Sequence, residues 1–243
     1  MERMVGKVAV VTGASSGIGE KIAEMLVKNG MTVIGLARRY ELVEKLSKKL
    51  QNETGKLYPM KVDITNDDEL VETFREIEKK FEPIHVLINN AGLFPPGSLI
   101  TGSTELWRKV MDTNVMALCI ASREAIQIMK KNNIDGQIIN INSVAGHKIP
   151  HTTILHIYPA SKYAVTALTE SLRLELTSEG SKIRMTSISP GAVRTEPMLD
   201  VDGMDMPLLN PEDVANAAQY VLSTPPHVQI AELTIKCVGE TIC

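Results

Sequence analysis

Between Val8 and Gly30 the chain reads as an apolar run, a glycine-rich turn and an amphipathic helix, with nothing between them. Val8-Ala9-Val10-Val11 is short and uninterrupted, as in a parallel strand covered on both faces. Thr12-Gly13-Ala14-Ser15-Ser16-Gly17-Ile18-Gly19 follows at once. The helix it opens puts Ile18, Ile22, Met25 and Leu26 on one stripe and closes at Gly30. Strand, glycine turn and helix in that order are the context of a dinucleotide fingerprint. Glycines let the backbone approach a pyrophosphate, and the helix N-terminus supplies free N–H groups and a positive dipole. The spacing is Gly-x-x-x-Gly-x-Gly rather than Gly-x-Gly-x-x-Gly. Gly13, Ser15, Ser16, Gly17, Ile18 and Gly19 are expected to line that site.

Strand and helix patterns alternate from there on. Further strands are expected at 32–37, 57–62, 86–88, 137–141, 185–189 and 233–237. The helix at 41–50 carries Leu42, Leu46 and Leu50, and the next, capped by Thr65, carries Leu70, Phe74, Ile77 and Phe81. A long helical stretch holds Trp107, Val110, Met111, Val115 and Leu118. A helix from Pro159 sets Ala164, Leu168, Leu172 and Leu176 on one face, and Asn210-Pro211-Glu212-Asp213 opens the last. No linker rich in Gly, Pro or Ser interrupts the pattern. The expectation is one doubly wound α/β domain over residues 1–243, with a seven-stranded, mostly parallel sheet and helices on both faces.

The candidate polar residues fall at strand ends on one rim. An NAD site would place an acidic residue about 20 residues beyond the glycines to hold the ribose hydroxyls. Ala37 stands there, followed by Arg38 and Arg39, and two guanidiniums suit a 2′-phosphate. NADP(H) is therefore expected over NAD(H). Asp63-Ile64 ends the third strand, and Asn90-Ala91-Gly92 the fourth, where small residues let a cofactor pass close. Ser143 follows the fifth strand. Tyr158 and Lys162, four residues apart at the head of a helix, share a face. A phenol titrates near ~10, and a cation one turn away stabilises its anion. Asn114, inside a helical stretch, reads from the residues alone as solvent-facing or as a core hydrogen-bonding group.

Composition excludes some classes. With a net charge of −3 there is no basic face for nucleic acid or anionic lipid. No apolar run approaches the ~20 residues of a membrane span, and the N-terminus runs into a strand without a signal-like apolar region. Cys119, Cys237 and Cys243 show no metal spacing, so a reducing cytoplasm without disulfides or a metal site is expected.

The ordered set Thr12-Gly13-x-x-x-Gly17-x-Gly19, Asp63, Asn90-Ala91-Gly92, Asn114, Ser143, Tyr158-x-x-x-Lys162 and Pro190-Gly191 resembles the single-domain short-chain dehydrogenase/reductase family over essentially the whole length. The closer likeness, carried by residues 101–104, 163–170 and 220–225, is to insect farnesol dehydrogenase and 17β-hydroxysteroid-type NADP-dependent reductases. The resemblance implies a Rossmann-type domain that moves a hydride between NADP(H) and a small lipophilic alcohol or carbonyl compound. Tyr158 would be the proton donor or acceptor, Ser143 would hold the substrate oxygen, and Lys162 would lower the phenol pKa and hold the nicotinamide ribose. Asn114 would hold a water linking Lys162 to solvent, and Val193 and Thr195 would contact the cofactor amide and phosphate. It also implies a homodimer or homotetramer joined through the helices of Asn114 and Tyr158. A Met-rich stretch within 192–209, with Met198, Leu199, Met204 and Met206, reads as a substrate lid. Two departures stand out. Asn142 replaces a second serine common in relatives, and the gap from Ser143 to Tyr158 is longer than usual. The rival activities are reduction of a carrier-bound 3-oxoacyl group, with Lys130 and Lys131 as a docking cluster, and non-catalytic cofactor binding in regulation. His147, His151 and His156 receive no role.

Overall fold

The computed structural model describes residues 1–81, 83–150, 155–195 and 207–241. Among these residues seven strands form one sheet: β1 (Val8–Thr12), β2 (Thr32–Ala37), β3 (Lys56–Lys61), β4 (Ile84–Asn89), β5 (Gln137–Ile141), β6 (Arg184–Pro190) and β7 (Glu232–Ile235). Their order is β3-β2-β1-β4-β5-β6-β7. Every pairing is parallel, so the expected "mostly parallel" sheet is wholly so. Among the described residues the α-helices are α1 (Gly17–Lys28), α2 (Tyr40–Lys49), α3 (Asp67–Lys80), α4 (Thr104–Met111), α5 (Ala117–Lys131), α6 (Tyr158–Ser178) and α7 (Pro211–Ser223).

Strand alternation divides the core in two. Ala9 and Val11 of β1 pack with Ile22, Leu26, Leu46, Val214 and Val221, so α1, α2 and α7 cover one face. Val8 and Val10 pack with Leu70, Phe74, Ile120, Met129 and Leu176, so α3, α5 and α6 cover the other. The chain winds outward from β1 to β3, then crosses back to place β4 beside β1. That reversal opens a crevice beyond the C-terminal ends of β1 and β4, where ligands bind in doubly wound sheets.

Several expected elements shift. Leu42 is 40% exposed, and Val43 with Leu46 forms the buried face of α2. Thr65 does not cap α3. Asn66 does, through its Oδ1 and the Glu69 N–H at 3.2 Å, because the Thr65 hydroxyl is bound to Asp63. The buried face of α6 carries Ser161, Lys162, Val165 and Thr169, while Ala164, Leu168 and Leu172 are only half-buried. The cause is a polar seam on the sheet. Asn89 donates to Ser122 Oγ and Asn140 Oδ1, each at 2.9 Å, and Asn140 donates to Thr169 Oγ1 at 2.8 Å. Buried amides need partners, so α6 turns its hydroxyls inward. β7 ends at Ile235, two residues early, where Gly191 N–H closes the pairing on Ile235 O at 2.8 Å. No helix among the described residues is long and apolar enough to cross a membrane.

Candidate active site

The turn after β1 and the end of β4 interlock. Thr12 Oγ1 accepts the N–H groups of Asn90 and Ala91, both at 3.0 Å. Asn90 Nδ2 donates to Thr12 O at 3.0 Å and Gly13 O at 3.2 Å. Gly13 has φ +69, and a Cβ there would lie 2.9 Å from Ala91 Cα. A Cβ on Gly19 would lie 2.3 Å from both Asn90 Nδ2 and Gly13 O. Glycine is thus required by backbone sign at one position and by close approach at the other. Ser16 is the N-cap of α1 but makes no side-chain capping bond; its Oγ instead accepts Arg39 Nη2 at 2.6 Å. The first-turn N–H groups of α1 therefore face the crevice as an anion site.

This crevice belongs to a cavity of about 670 Å³. Gly13, Ser15, Ser16, Gly17 and Ile18 line one end, with Ala37, Arg38 and Arg39 beside them. Asp63, Ile64, Asn90, Ala91 and Gly92 follow, and Pro190, Gly191, Val193 and Thr195 close the far side. Gly19 is buried beneath the turn, behind Asn90 rather than on the wall. The Asp63 carboxylate accepts Thr65 Oγ1 at 2.7 Å and Thr65 N–H at 3.0 Å. The Thr65 hydroxyl first, then that N–H and the field of Arg38, hold its carboxyl below the usual range.

At the other end stand Ser143, Tyr158 and Lys162, all lining the same cavity. Ser143, the residue after Asn142 at the end of β5, stands near enough to the Tyr158 phenol to favour its anion, and its Oγ accepts Ala145 N–H at 3.1 Å. Lys162 Nζ donates to Ile141 O at 2.8 Å and stands 5.7 Å from the centroid of the Tyr158 ring. Phe94 meets that ring edge-on, with centroids 5.1 Å apart. Burial pushes the phenol up to about 12, and the nearby Ser143 hydroxyl offsets this only in part. Burial pushes Lys162 down to about 8. The shift of Tyr158 is opposite to the lowering expected from a neighbouring ammonium. Desolvation opposes both charged forms, and it outweighs an ammonium held on the Ile141 carbonyl.

Asn114 sits in a π turn (Asp112–Met116) between α4 and α5. The added residue rotates its side chain inward, and such turns cluster at functional sites. Asn114 Oδ1 accepts Leu93 N–H at 2.7 Å, and Nδ2 donates to Leu93 O and Ser161 Oγ, each at 3.0 Å. Ser161 Oγ donates in turn to Tyr158 O at 2.7 Å. The side-chain amide thus ties the β4 loop to the head of α6, and its bonds go to these groups rather than to Lys162. Asn142 is buried and borders the cavity, and its Nδ2 donates to Thr166 Oγ1 at 2.9 Å, which ties it to α6.

Two contributors have no role of their own in the sequence reading. Thr12 has a clear signal in hindsight, being a hydroxyl at a strand end facing an Asn-Ala-Gly turn. His156 has none. It holds φ +31, its Nδ1 accepts Ile157 N–H at 2.6 Å, and its ring abuts Gly97, where a Cβ would lie 2.5 Å from Cδ2. Met198, Leu199, Met204 and Met206 of the expected lid, and His151, lie outside the described residues.

A glycine cradle at the switch point, an anion-ready helix end and a Ser-Tyr-Lys constellation in one cavity define a dinucleotide-linked oxidoreductase. The chain belongs to the short-chain dehydrogenase/reductase family, whose members use a nicotinamide cofactor; the short chain dehydrogenase model matches residues 7–203. It is 50% identical to the farnesol dehydrogenase of Aedes aegypti over 99% of both chains. It is 47% identical to dehydrogenase/reductase SDR family member 11 of Gallus gallus, over 97% of this chain and 98% of that one. A metagenomic short-chain oxidoreductase solved in complex with NADP superposes with a TM-score of 0.83 at 27% identity, covering 96% and 97% of the two chains.

Proposed function

We propose that this chain is a cytoplasmic NADP(H)-dependent alcohol dehydrogenase or carbonyl reductase acting on a lipophilic substrate: a terpenoid alcohol such as farnesol, a steroid or a similar ketone. The observation that carries the reading is that Ser143, Tyr158 and Lys162 line one cavity, with Lys162 Nζ 5.7 Å from the centroid of the Tyr158 ring, and that this cavity begins at the glycine turn. The glycines and the α1 N-terminus hold the pyrophosphate, and Arg38 and Arg39 hold a 2′-phosphate at the exposed edge. When bound, the nicotinamide supplies or accepts the hydride.

Ser143 Oγ holds the substrate oxygen, and Tyr158 Oη gives a proton to that oxygen in reduction or takes one in oxidation. Lys162 stabilises the phenolate that proton transfer leaves and holds the nicotinamide ribose. Phe94, Leu155, Pro150 and Val144 line the cavity beside Tyr158, and their apolar surface fits a hydrocarbon substrate better than a charged one. Farnesol is the substrate named by the Aedes relative, and NADP the ligand named by a structural neighbour.

The carrier-bound 3-oxoacyl reading loses support. Lys130 and Lys131 lie at the C-terminal end of α5, beneath the sheet edge opposite the cavity, and pair with Glu179 and Glu78. Assembly as a homodimer or homotetramer through the helices around Asn114 and Tyr158 fits the exposed Met116 in the π turn and the exposed Tyr163 and Leu174 on α6. The test is absorbance at the reduced-nicotinamide band, with NADPH or NADH and a panel of lipophilic ketones, aldehydes and alcohols. Turnover far faster with NADPH than NADH supports the reading. Equal or faster turnover with NADH removes the 2′-phosphate assignment, and no turnover despite cofactor binding favours a regulatory role.

A further inference from the structure

Beyond Ile235 the chain turns back on itself. Glu240 N–H donates to Cys237 O at 3.1 Å, and Gly239, the third residue of that turn, has φ +83. A positive φ at this position is what a type II turn asks of glycine. The turn leaves Val238 94% exposed and carries Glu240 inward, so that its side chain has 0% of its surface exposed.

The Glu240 carboxylate lies against the far side of the turn that follows β6. Oε2 accepts Ala192 N–H at 3.2 Å. A Cβ on Gly191 would lie 1.9 Å from Oε2 and 2.6 Å from Cδ, so the carboxylate occupies the place a side chain would take. Oε1 has no hydrogen bond, and Lys236 Nζ stands 4.0 Å from it. Gly191 and Ala192 line the cavity from the other side, and Glu240 is not on its wall. A buried carboxylate with one strong partner is expensive to desolvate, so stability alone is a weak reason for it.

We infer that Glu240 is a positioning residue for the cofactor. Its carboxylate, seated in the notch left by Gly191, sets where the Pro190–Ala192 turn borders the cavity. The inference rests on the dinucleotide reading of that cavity. Gly191 is glycine because the carboxylate fills the space a Cβ would need; its φ lies outside the positive range, so alanine suits its backbone.

The test is a fluorescence titration of the full chain with NADPH, or with NADH if that binds more tightly, and thermal unfolding of each variant. Losing a hydrogen bond to a charged group predicts about tenfold weaker cofactor binding for Glu240→Ala. Glu240→Gln keeps an acceptor for Ala192 N–H and is expected within about threefold of wild type. Gly191→Ala displaces the carboxylate and weakens binding as Glu240→Ala does. The double variant Gly191→Ala/Glu240→Ala binds no worse than Glu240→Ala alone, since the methyl group now has room. Wild-type affinity in Glu240→Ala, or additive losses in the double variant, would overturn the inference. If Glu240→Ala does not fold, Gly191→Ala decides alone: wild-type binding overturns the inference and weakened binding upholds it. A wild-type chain that binds neither dinucleotide would overturn the cofactor reading, and this inference with it.

Discussion

Asn114 grips Leu93 from both sides of its peptide, accepting its N–H at 2.7 Å and donating to its C=O at 3.0 Å. The next residue, Phe94, is the one packed on Tyr158. Asn114→Ala would leave both groups of a half-buried peptide, and Ser161 Oγ, without this partner. We expect a loss of about 1–3 kcal/mol of stability. Asn114→Asp keeps the acceptor and loses both donations, so it should fall between Ala and wild type in melting temperature. In both variants kcat should drop more than the cofactor KM, because the displaced groups meet Tyr158 and not the glycine turn. Unchanged kcat with a lowered melting temperature would reduce Asn114 to a purely structural residue.

The buried ammonium makes a signed prediction. Lys162 titrates at about 8 in the folded chain, below its ordinary 10.5. Between those values the unfolded chain binds more protons, so stability should rise with pH across that window and be lower below it. Lys162→Met removes the buried charge, so it should unfold at a higher temperature than wild type near neutral pH. Its advantage should shrink as pH rises past about 8. Carbonyl reduction by wild type should show an alkaline limb in kcat/KM near the same pH, and Lys162→Met should lose at least about a hundredfold in rate. A flat profile through that region would show that the lysine's charge does not enter the rate.

Tyr158 offers a spectroscopic check free of turnover. With its phenol pushed up to about 12, the cofactor-free chain should develop no Tyr158 phenolate absorbance at neutral or mildly alkaline pH. Subtracting a Tyr158→Phe titration from wild type isolates that signal. A phenolate band rising near pH 8, where Lys162 titrates, would mean that the ammonium stabilises the anion without help from the cofactor.

Most of the fold was legible because its signals are local. The β1 run, the glycine turn and the α1 stripe each follow from neighbouring residues, and the strand at 32–37 matches β2 residue for residue. What the sequence concealed depends on distant partners. The core face of α6 looks wrong in isolation because Thr169 is satisfied by Asn140 across the sheet. Thr65 looks like a cap because its bond to Asp63 is invisible in a list of residues. The Ser143–Tyr158–Lys162 set was legible from ordered motifs. The direction of the phenol shift was not, since burial is a property of the assembled site. His156 and Glu240 gave no signal at all, because their meaning lies in glycines far away in the chain.

The two guanidiniums at the end of β2 should separate the cofactors. Arg38 and Arg39 are exposed, and Arg39 is braced on Ser16 at 2.6 Å. A charge-assisted bond to phosphate is worth about 1.5–3 kcal/mol. Arg38→Ala and Arg39→Ala should each raise KM for NADPH about tenfold or more while leaving KM for NADH unchanged. Ser16→Ala, which removes only the brace, should have the smaller effect. Equal losses with both cofactors would place the arginines on the pyrophosphate rather than on a 2′-phosphate.

His156 and Gly97 make the last case. The imidazole fills the space above Gly97, and its Nδ1 holds the Ile157 N–H just before Tyr158. The loop bearing Phe94 and the turn bearing Tyr158 therefore meet at this pair. Gly97→Ala would put a methyl group 2.5 Å from the ring, a close contact with typical overpacking losses of about 1–3 kcal/mol. His156→Ala removes the ring but keeps a strained φ of +31, whereas His156→Asn suits that backbone better. We expect His156→Asn to melt above His156→Ala. All three variants should lose kcat while binding NADPH as wild type does, because the pair bears on the phenol and not on the dinucleotide cradle. The strain then serves to aim Tyr158. Variants that melt lower but turn over at the wild-type rate would show instead that the pair only closes the loop.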